Sequence, residues 1–177
     1  MTRETLMRWL WIDRILLHQR GARLVAVKNV SLAEEHLHDH FAADGDLPPV
    51  PVMPASLVIE GMAQTAGILV GAANDFREKV VLAKIASAEI DVDLFPGQTI
   101  RYDARIERID ATGASTIGVV DRLDPADTTW TRVGRIELMF SHLDQNRAGL
   151  DFPAENFVFG PNFAVVLESL RSARTTE

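Results

Sequence analysis

The sequence predicts an α+β fold, a curved antiparallel sheet wrapped around one long central helix. Three observations carry that reading. Residues 56–73 (SLVIEGMAQTAGILVGAA) have helix length, and between positions 47 and 74 the only charged side chain is Glu60. Downstream, four stretches of strand character follow one another through short turns with no helix between them, which makes their sheet antiparallel. A helix apolar on nearly every side needs protein around most of it, so the sheet has to curve over it.

Taken in order, residues 10–16 mix helix and strand character and stay ambiguous. Arg20-Gly21 punctuates, and residues 23–31 (RLVAVKNVS) set β-branched Val25, Val27 and Val30 among other apolar side chains, a strand pattern. The charged, His-rich AEEHLHDHF then runs into AADGDLPPVPVMP, whose four prolines predict a long loop. Pro54 closes that loop, and Ser56 is the expected N-cap of the central helix, with Asn74-Asp75 ending it. Strands are expected over residues 81–92, 99–109, 114–122 and 130–142, separated by turns at 95–98, 110–113 and 124–127. Five or six strands result. The tail carries Phe152, Phe157, Phe159 and Phe163, and ends in a short amphipathic helix with Phe163, Val166, Leu167 and Leu170 on one face.

Composition narrows the function classes. A length of 177 residues is that of one domain. With 47% apolar and 24% charged residues the chain is expected to fold rather than stay disordered. A net charge of −7 argues against nucleic acid or an anionic bilayer as a global partner. Without cysteine there is no disulfide, thiolate metal site or cysteine nucleophile, in keeping with a reducing cytoplasm. The N-terminus mixes an acid and several arginines with its apolar residues, unlike a signal peptide. Residues 56–73 are barely long enough to span a membrane and are rich in Gly and Ala, so a buried helix is the better reading.

Three features could carry chemistry. Glu60 is a carboxyl on an apolar helix; burying it ionised costs several kcal/mol, so such groups are paired, protonated or functional. Burial without a cation raises a carboxyl's pKa and suits it to donate a proton, whereas an edge position or a hydrogen bond to Gln64, one turn on, is the plainer alternative. The second is His40. With His36 and His38 on an extended segment it would form a one-sided metal cluster, but its acidic neighbours read more simply as a solvated loop. His40-Phe41 stands out because its loop leads straight into the helix of Glu60. The third is Pro54-Ala55-Ser56, where first-turn N–H groups suit an oxygen that becomes negative during reaction. Ser56 lacks the strand–Gly-x-Ser-x-Gly–helix setting of a nucleophile and reads as a cap.

Four stretches together resemble a known family: RLVAVKNVS (23–31), Asp39-His40-Phe41, PVMPASLVIEGMAQTAGIL (51–69) and FPGQTI (95–100). They are similar to the hot-dog-fold β-hydroxyacyl-(acyl-carrier-protein) dehydratases of bacterial fatty-acid synthesis, across roughly residues 10–142. The resemblance implies a dimer whose two sheets join, possible growth to a trimer of dimers, and no cofactor or metal. It implies His40 as catalytic base and Glu60 as acid, contributed by different subunits. Ala55 or Ser56 would supply the thioester-oxygen N–H, with Gln64 and Phe41 supporting the site. A Glu at position 60 resembles the branch that does not isomerise the double bond. Three departures are visible: Asp39 replaces a glycine, Ala42-Ala43 replace Pro-Gly, and about six extra residues separate Phe41 from Pro51.

The expected reaction is dehydration of an (R)-β-hydroxyacyl thioester on acyl carrier protein to the trans-2-enoyl thioester in the cytoplasm. That acidic partner needs local cations, for which Arg77, Lys79, Arg101 and Arg105 are candidates; neither nucleic acid nor membrane is an expected partner. Residues 1–143 would form the hot-dog domain and 144–177 a C-terminal extension. A hot-dog thioesterase and a non-catalytic acyl-thioester-binding homologue are the alternatives.

Overall fold

The computed structural model describes residues 9–39, 43–143 and 163–174. Its strands are β1 (Arg14–Gln19), β2 (Arg23–Asn29), β3 (Lys79–Ile90), β4 (Thr99–Asp110), β5 (Gly113–Leu123) and β6 (Thr131–Leu143). Its helices are α1 (Glu35–Asp39), α2 (Ala55–Ala73) and α3 (Ala164–Ser172). The strands form one six-stranded sheet in the order β1-β2-β4-β5-β6-β3, every neighbouring pair antiparallel. The sheet curves around α2, the hot-dog arrangement the sequence predicts. Register shifts on four of its five ladders give the strands places to bend.

Strand alternation makes the concave face. Ile100, Tyr102 and Ala104 of β4, Ala114, Thr116 and Val120 of β5, and Ile136, Leu138 and Phe140 of β6 are buried. They meet α2, which is buried at every residue from Gly61 to Ala72. The helix is long and apolar enough to cross a membrane, yet its apolar surface is spent on the sheet. It ends at Asn74, followed by Asp75 and Phe76 with φ of 52° and 55°; the Phe76 N–H reaches back to the Gly71 carbonyl at 2.8 Å.

One turn fixes where α2 begins. Phe95-Pro96-Gly97-Gln98 closes with a 3.2 Å bond from the Gln98 N–H to the Phe95 carbonyl. Gly97 has φ 92°, the left-handed conformation that Gly accepts without strain after Pro. The carbonyl of Leu94, next to this turn, accepts the Met53 N–H at 2.8 Å and so ties down the chain entering α2.

The ambiguous stretch at residues 10–16 resolves as coil running into β1. Its ladder with β2 shifts register between Ile15 and Leu17, and that irregularity breaks the period-2 signal. The His-rich segment, expected to be extended, is instead the short helix α1. Positions 36 and 38, two apart on a helix, do not share a face, so the one-sided His arrangement lacks its backbone. The short C-terminal helix is α3, with Val166 buried and Phe163, Leu167 and Leu170 packed beside it. The other tail aromatics, Phe152, Phe157 and Phe159, lie outside the described residues.

The two sheet edges differ. Along β1, the Ser169 hydroxyl accepts the Ile15 N–H at 3.0 Å, and Arg174 exchanges backbone bonds with Leu16 and His18. Along β3, no described strand pairs with the outer edge, and Leu82 and Ile85 are 36% and 46% exposed.

Candidate active site

The first turn of α2 leaves donors open. Pro54 is the N-cap, and its carbonyl receives the N–H groups of Leu57 at 2.9 Å and Val58 at 3.3 Å. Ala55 and Ser56 are the first two helical residues, both exposed, and a helix offers their N–H groups no internal partner. The expectation that Ser56 caps the helix is therefore wrong. The helix starts one residue earlier, on Pro54, and no side chain caps it. Ser56, Glu60 and Gln64 follow at spacings of four and form one stripe along the helix.

Glu60 sits where α2 passes from exposed to buried, itself half-buried. Its Oε1 accepts a hydrogen bond from Gln64 Nε2 at 2.9 Å. Both elements of the plainer reading, partial exposure and a Gln64 partner, are thus present. Gln64 is buried, and its own amide is held twice more: Oε1 accepts the Trp11 N–H at 2.9 Å, and Nε2 donates to the Trp9 carbonyl at 3.0 Å. With its oxygen already used on a donor, the amide must present N–H to Glu60. Glu60 Oε1 is then an acceptor, and Oε2 has no hydrogen bond among the described residues.

Gly61 lets this part of the helix approach the sheet. A Cβ there would stand 2.5 Å from Tyr102 Cζ and nearer still to the hydroxyl. Tyr102 is fully buried, and its hydroxyl has no hydrogen-bond partner among the described residues. Burial, with the Asp13 and Glu34 carboxylates adding to it, pushes that phenol well above its ordinary range. Gly61 and Tyr102 were not singled out from the sequence, although an isolated glycine inside a helix is a recognisable sign of close packing.

On the other side of the expected site, His40 and Phe41 lie outside the described residues. What is described is the scaffold ahead of them. Lys28, buried at 6% exposure, reaches Asp13 Oδ1 at 3.4 Å and pairs with Glu34, just before α1. Leu37 of α1 is buried in the core, and His36 meets the Trp11 ring edge-to-face at 5.0 Å. Trp9 meets the same indole at 5.2 Å. Among the described residues, no three His, Cys, Asp or Glu side chains are grouped to hold a metal.

The candidate docking cations also separate. Arg101 is committed to Asp121 at 2.7 Å and lies 4.5 Å over Trp130, so it is removed from that role. Arg105 is 61% exposed at its side chain and only loosely paired, 3.8 Å from Asp103.

Comparison with known proteins gives this geometry its family. The FabA-like domain family matches residues 5–129. The chain belongs to that family. Its relatives include the 3-hydroxyacyl-(acyl-carrier-protein) dehydratase FabZ of Fusobacterium nucleatum, 33% identical over 129 residues, covering 71% of this chain and 86% of that protein. The FabZ of Ruminiclostridium cellulolyticum is 33% identical over 116 residues, covering 64% and 78%. For that of Solibacter usitatus the figures are 34% over 113 residues, 63% and 65%, so that match spans just under two thirds of the relative's length. Among solved structures, a thioesterase family protein from Silicibacter pomeroyi superposes with TM-score 0.59 at 11% identity, covering 79% of this chain and 90% of that one. An acyl-CoA hydrolase from Staphylococcus aureus gives 0.54 at 14%, covering 69% and 66%. At such identities these structures speak for the fold alone. The FabA-like match runs from before β1 through β5 and includes α1 and α2; β6 and α3 lie beyond it.

Proposed function

We infer that this FabA-like chain is a hydro-lyase that dehydrates β-hydroxyacyl-acyl-carrier-protein in fatty-acid biosynthesis. The observation that carries the reading is Glu60, with Oε1 engaged by Gln64, Oε2 without a bond, and the open N–H groups of Ala55 and Ser56 one turn away. Helix side chains lean toward the N-terminus, and the donors of Ala55 and Ser56 lie on that side of Glu60.

In the proposed reaction, neutral His40 removes the proton from the carbon beside the thioester carbonyl. Negative charge grows on the thioester oxygen and is held by the Ala55 or Ser56 N–H and the positive end of α2, each such donor typically contributing about 2.7–4 kcal/mol in the transition state. Glu60, protonated on Oε2, gives its proton to the departing hydroxyl, which leaves as water. The product is the trans-2-enoyl thioester. Phe41 is assigned a supporting role beside His40. No step calls for a metal or cofactor.

Three further elements belong to this reading. A homo-oligomer is supported by the open β3 edge with its exposed Leu82 and Ile85, a template for a second sheet; the partner copy would supply His40 opposite Glu60. Acyl carrier protein is acidic, and Arg77, Lys79 and Arg105 are the cations proposed to meet it. Residues 1–143 are taken as the catalytic domain, working in the cytoplasm, with 144–177 as an extension.

The test offers the full chain an (R)-β-hydroxyacyl-acyl-carrier-protein, following enoyl-thioester absorbance and free thiol in parallel. Enoyl product without thiol release is expected. Thiol release without enoyl product would make the protein a thioesterase, and tight binding without turnover a carrier.

A further inference from the structure

We propose that Trp11 is a positioning residue for both proton-transfer groups its own chain contributes, the acid of one site and the base of the partner's site: its backbone N–H locks Gln64 onto Glu60, and its indole braces the helix that ends just before His40. The inference rests on the dehydratase reading and adds to it residues 9–13, a segment without regular structure up to β1.

The first half follows from counting donors. A glutamine amide has one acceptor oxygen and two N–H donors. The Trp11 N–H occupies Gln64 Oε1 at 2.9 Å, which turns both donors the other way, one to the Trp9 carbonyl at 3.0 Å and one to Glu60 at 2.9 Å. Glu60 Oε1 is thereby kept an acceptor. When Glu60 acts as an acid its proton resides on Oε2, the oxygen left for the leaving hydroxyl. Without the Trp11 contact only the Nε2 bond to the Trp9 carbonyl opposes the amide turning over to offer Oε1 to Glu60. The carboxyl proton would then be drawn into a bond with Gln64, away from the reaction.

The second half follows from packing. Trp11 is 7% exposed, and its indole meets both Trp9 and His36 of α1 edge-to-face. Asp13, two residues on, reinforces the same link, because Lys28 joins Asp13 to Glu34 at the start of α1. Asp13 is itself fastened to β2 by a 2.7 Å bond from its N–H to the Val27 carbonyl and another from the Asn29 N–H to Oδ2. α1 ends at Asp39, next in sequence to His40. One short segment thus anchors the acid of one site through Gln64 and, through α1, the chain leading to the base that this copy lends to the other.

The experiment compares wild type, Trp11→Ala and Trp11→Phe as full chains, turning over a β-hydroxyacyl thioester, with circular dichroism to confirm folding. A group held about an ångström out of place costs about 10²-fold. Trp11→Ala is therefore expected to lower kcat by about that factor with KM little changed, and Trp11→Phe to restore most of it by keeping an aromatic ring against His36. Wild-type kcat in Trp11→Ala, or a loss confined to KM, overturns the indole brace; the lock, made by a backbone N–H that alanine keeps, is tested by hydrogen exchange. Hydrogen exchange of the Trp11 N–H in wild type tests the lock whether or not Trp11→Ala folds: strong protection supports it, and exchange as fast as in an exposed loop overturns it. A wild type without turnover overturns the dehydratase reading and this proposal together, whereas an active enzyme indifferent to Trp11 overturns this one alone.

Discussion

Gln64 donates to Glu60 across one turn of α2, and the same amide is pinned by the backbone of Trp9 and Trp11. A side chain buried at 7% exposure thus fills its acceptor and both its donors while orienting the one carboxyl on the helix.

Replacing Gln64 tests how much of that network is structural. Gln64→Leu leaves the Trp11 N–H and the Trp9 carbonyl without partners, and a buried unsatisfied polar group costs about 1–3 kcal/mol. Urea unfolding is expected to show a loss of that size. An unchanged midpoint would mean that water replaces the amide freely.

Gly61 and Tyr102 make a paired prediction. Gly61→Ala pushes a methyl into the phenol ring, and overpacking of this kind costs about 1–3 kcal/mol. Tyr102→Phe removes a buried hydroxyl that bonds to nothing described, so it is expected to be neutral or stabilising by about 1 kcal/mol. Clear destabilisation by Tyr102→Phe in the same melts would show that the hydroxyl has a partner.

Neighbouring residues on α3 separate burial from composition. Val166 is 2% exposed and Val165 73% exposed. Val166→Asp places an unpaired carboxylate in the core and is expected to lower the melting temperature sharply. Val165→Asp is expected to change stability by no more than about 0.5 kcal/mol. Equal effects would mean that α3 does not pack on the domain in solution.

His18 predicts a pH dependence. Burial, and then the nearby Arg20, hold its imidazole below the ordinary value of 6.5. As pH falls through 6.5 the unfolded chain takes up a proton that the folded chain refuses, so stability declines from there toward the depressed folded value. His18→Gln is expected to flatten that part of the stability–pH curve, measured by urea titration. An identical slope in the variant would contradict it.

Most of the fold was legible because it rests on local rules. β4, β5 and β6 alternate buried residues with half-buried or exposed ones along much of their length, between turns of recognisable chemistry, and α2 announces itself as a long apolar stretch with one acid. The rest was hidden for identifiable reasons. β1 carries a register irregularity that erases its alternation, and α1 has only five residues, too few for a helical period. Ser56 suggested a cap because of its residue type, but Pro54 before Ala55 sets the helix start. The hold on Gln64 was illegible because it is made by backbone groups of Trp9 and Trp11, which no residue type encodes. Glu60 and Gln64 could be picked out from spacing; His40 rests on the family likeness and its place in the chain.

The most direct measurement is turnover by Glu60→Gln and His40→Ala beside wild type, with folding confirmed by circular dichroism. Acid–base groups of this kind contribute about 10²- to 10⁴-fold, so each variant is expected to lose at least about 99% of the dehydration rate while melting like the wild type. Near-wild-type formation of enoyl thioester by either would contradict the assignment of the acid or the base.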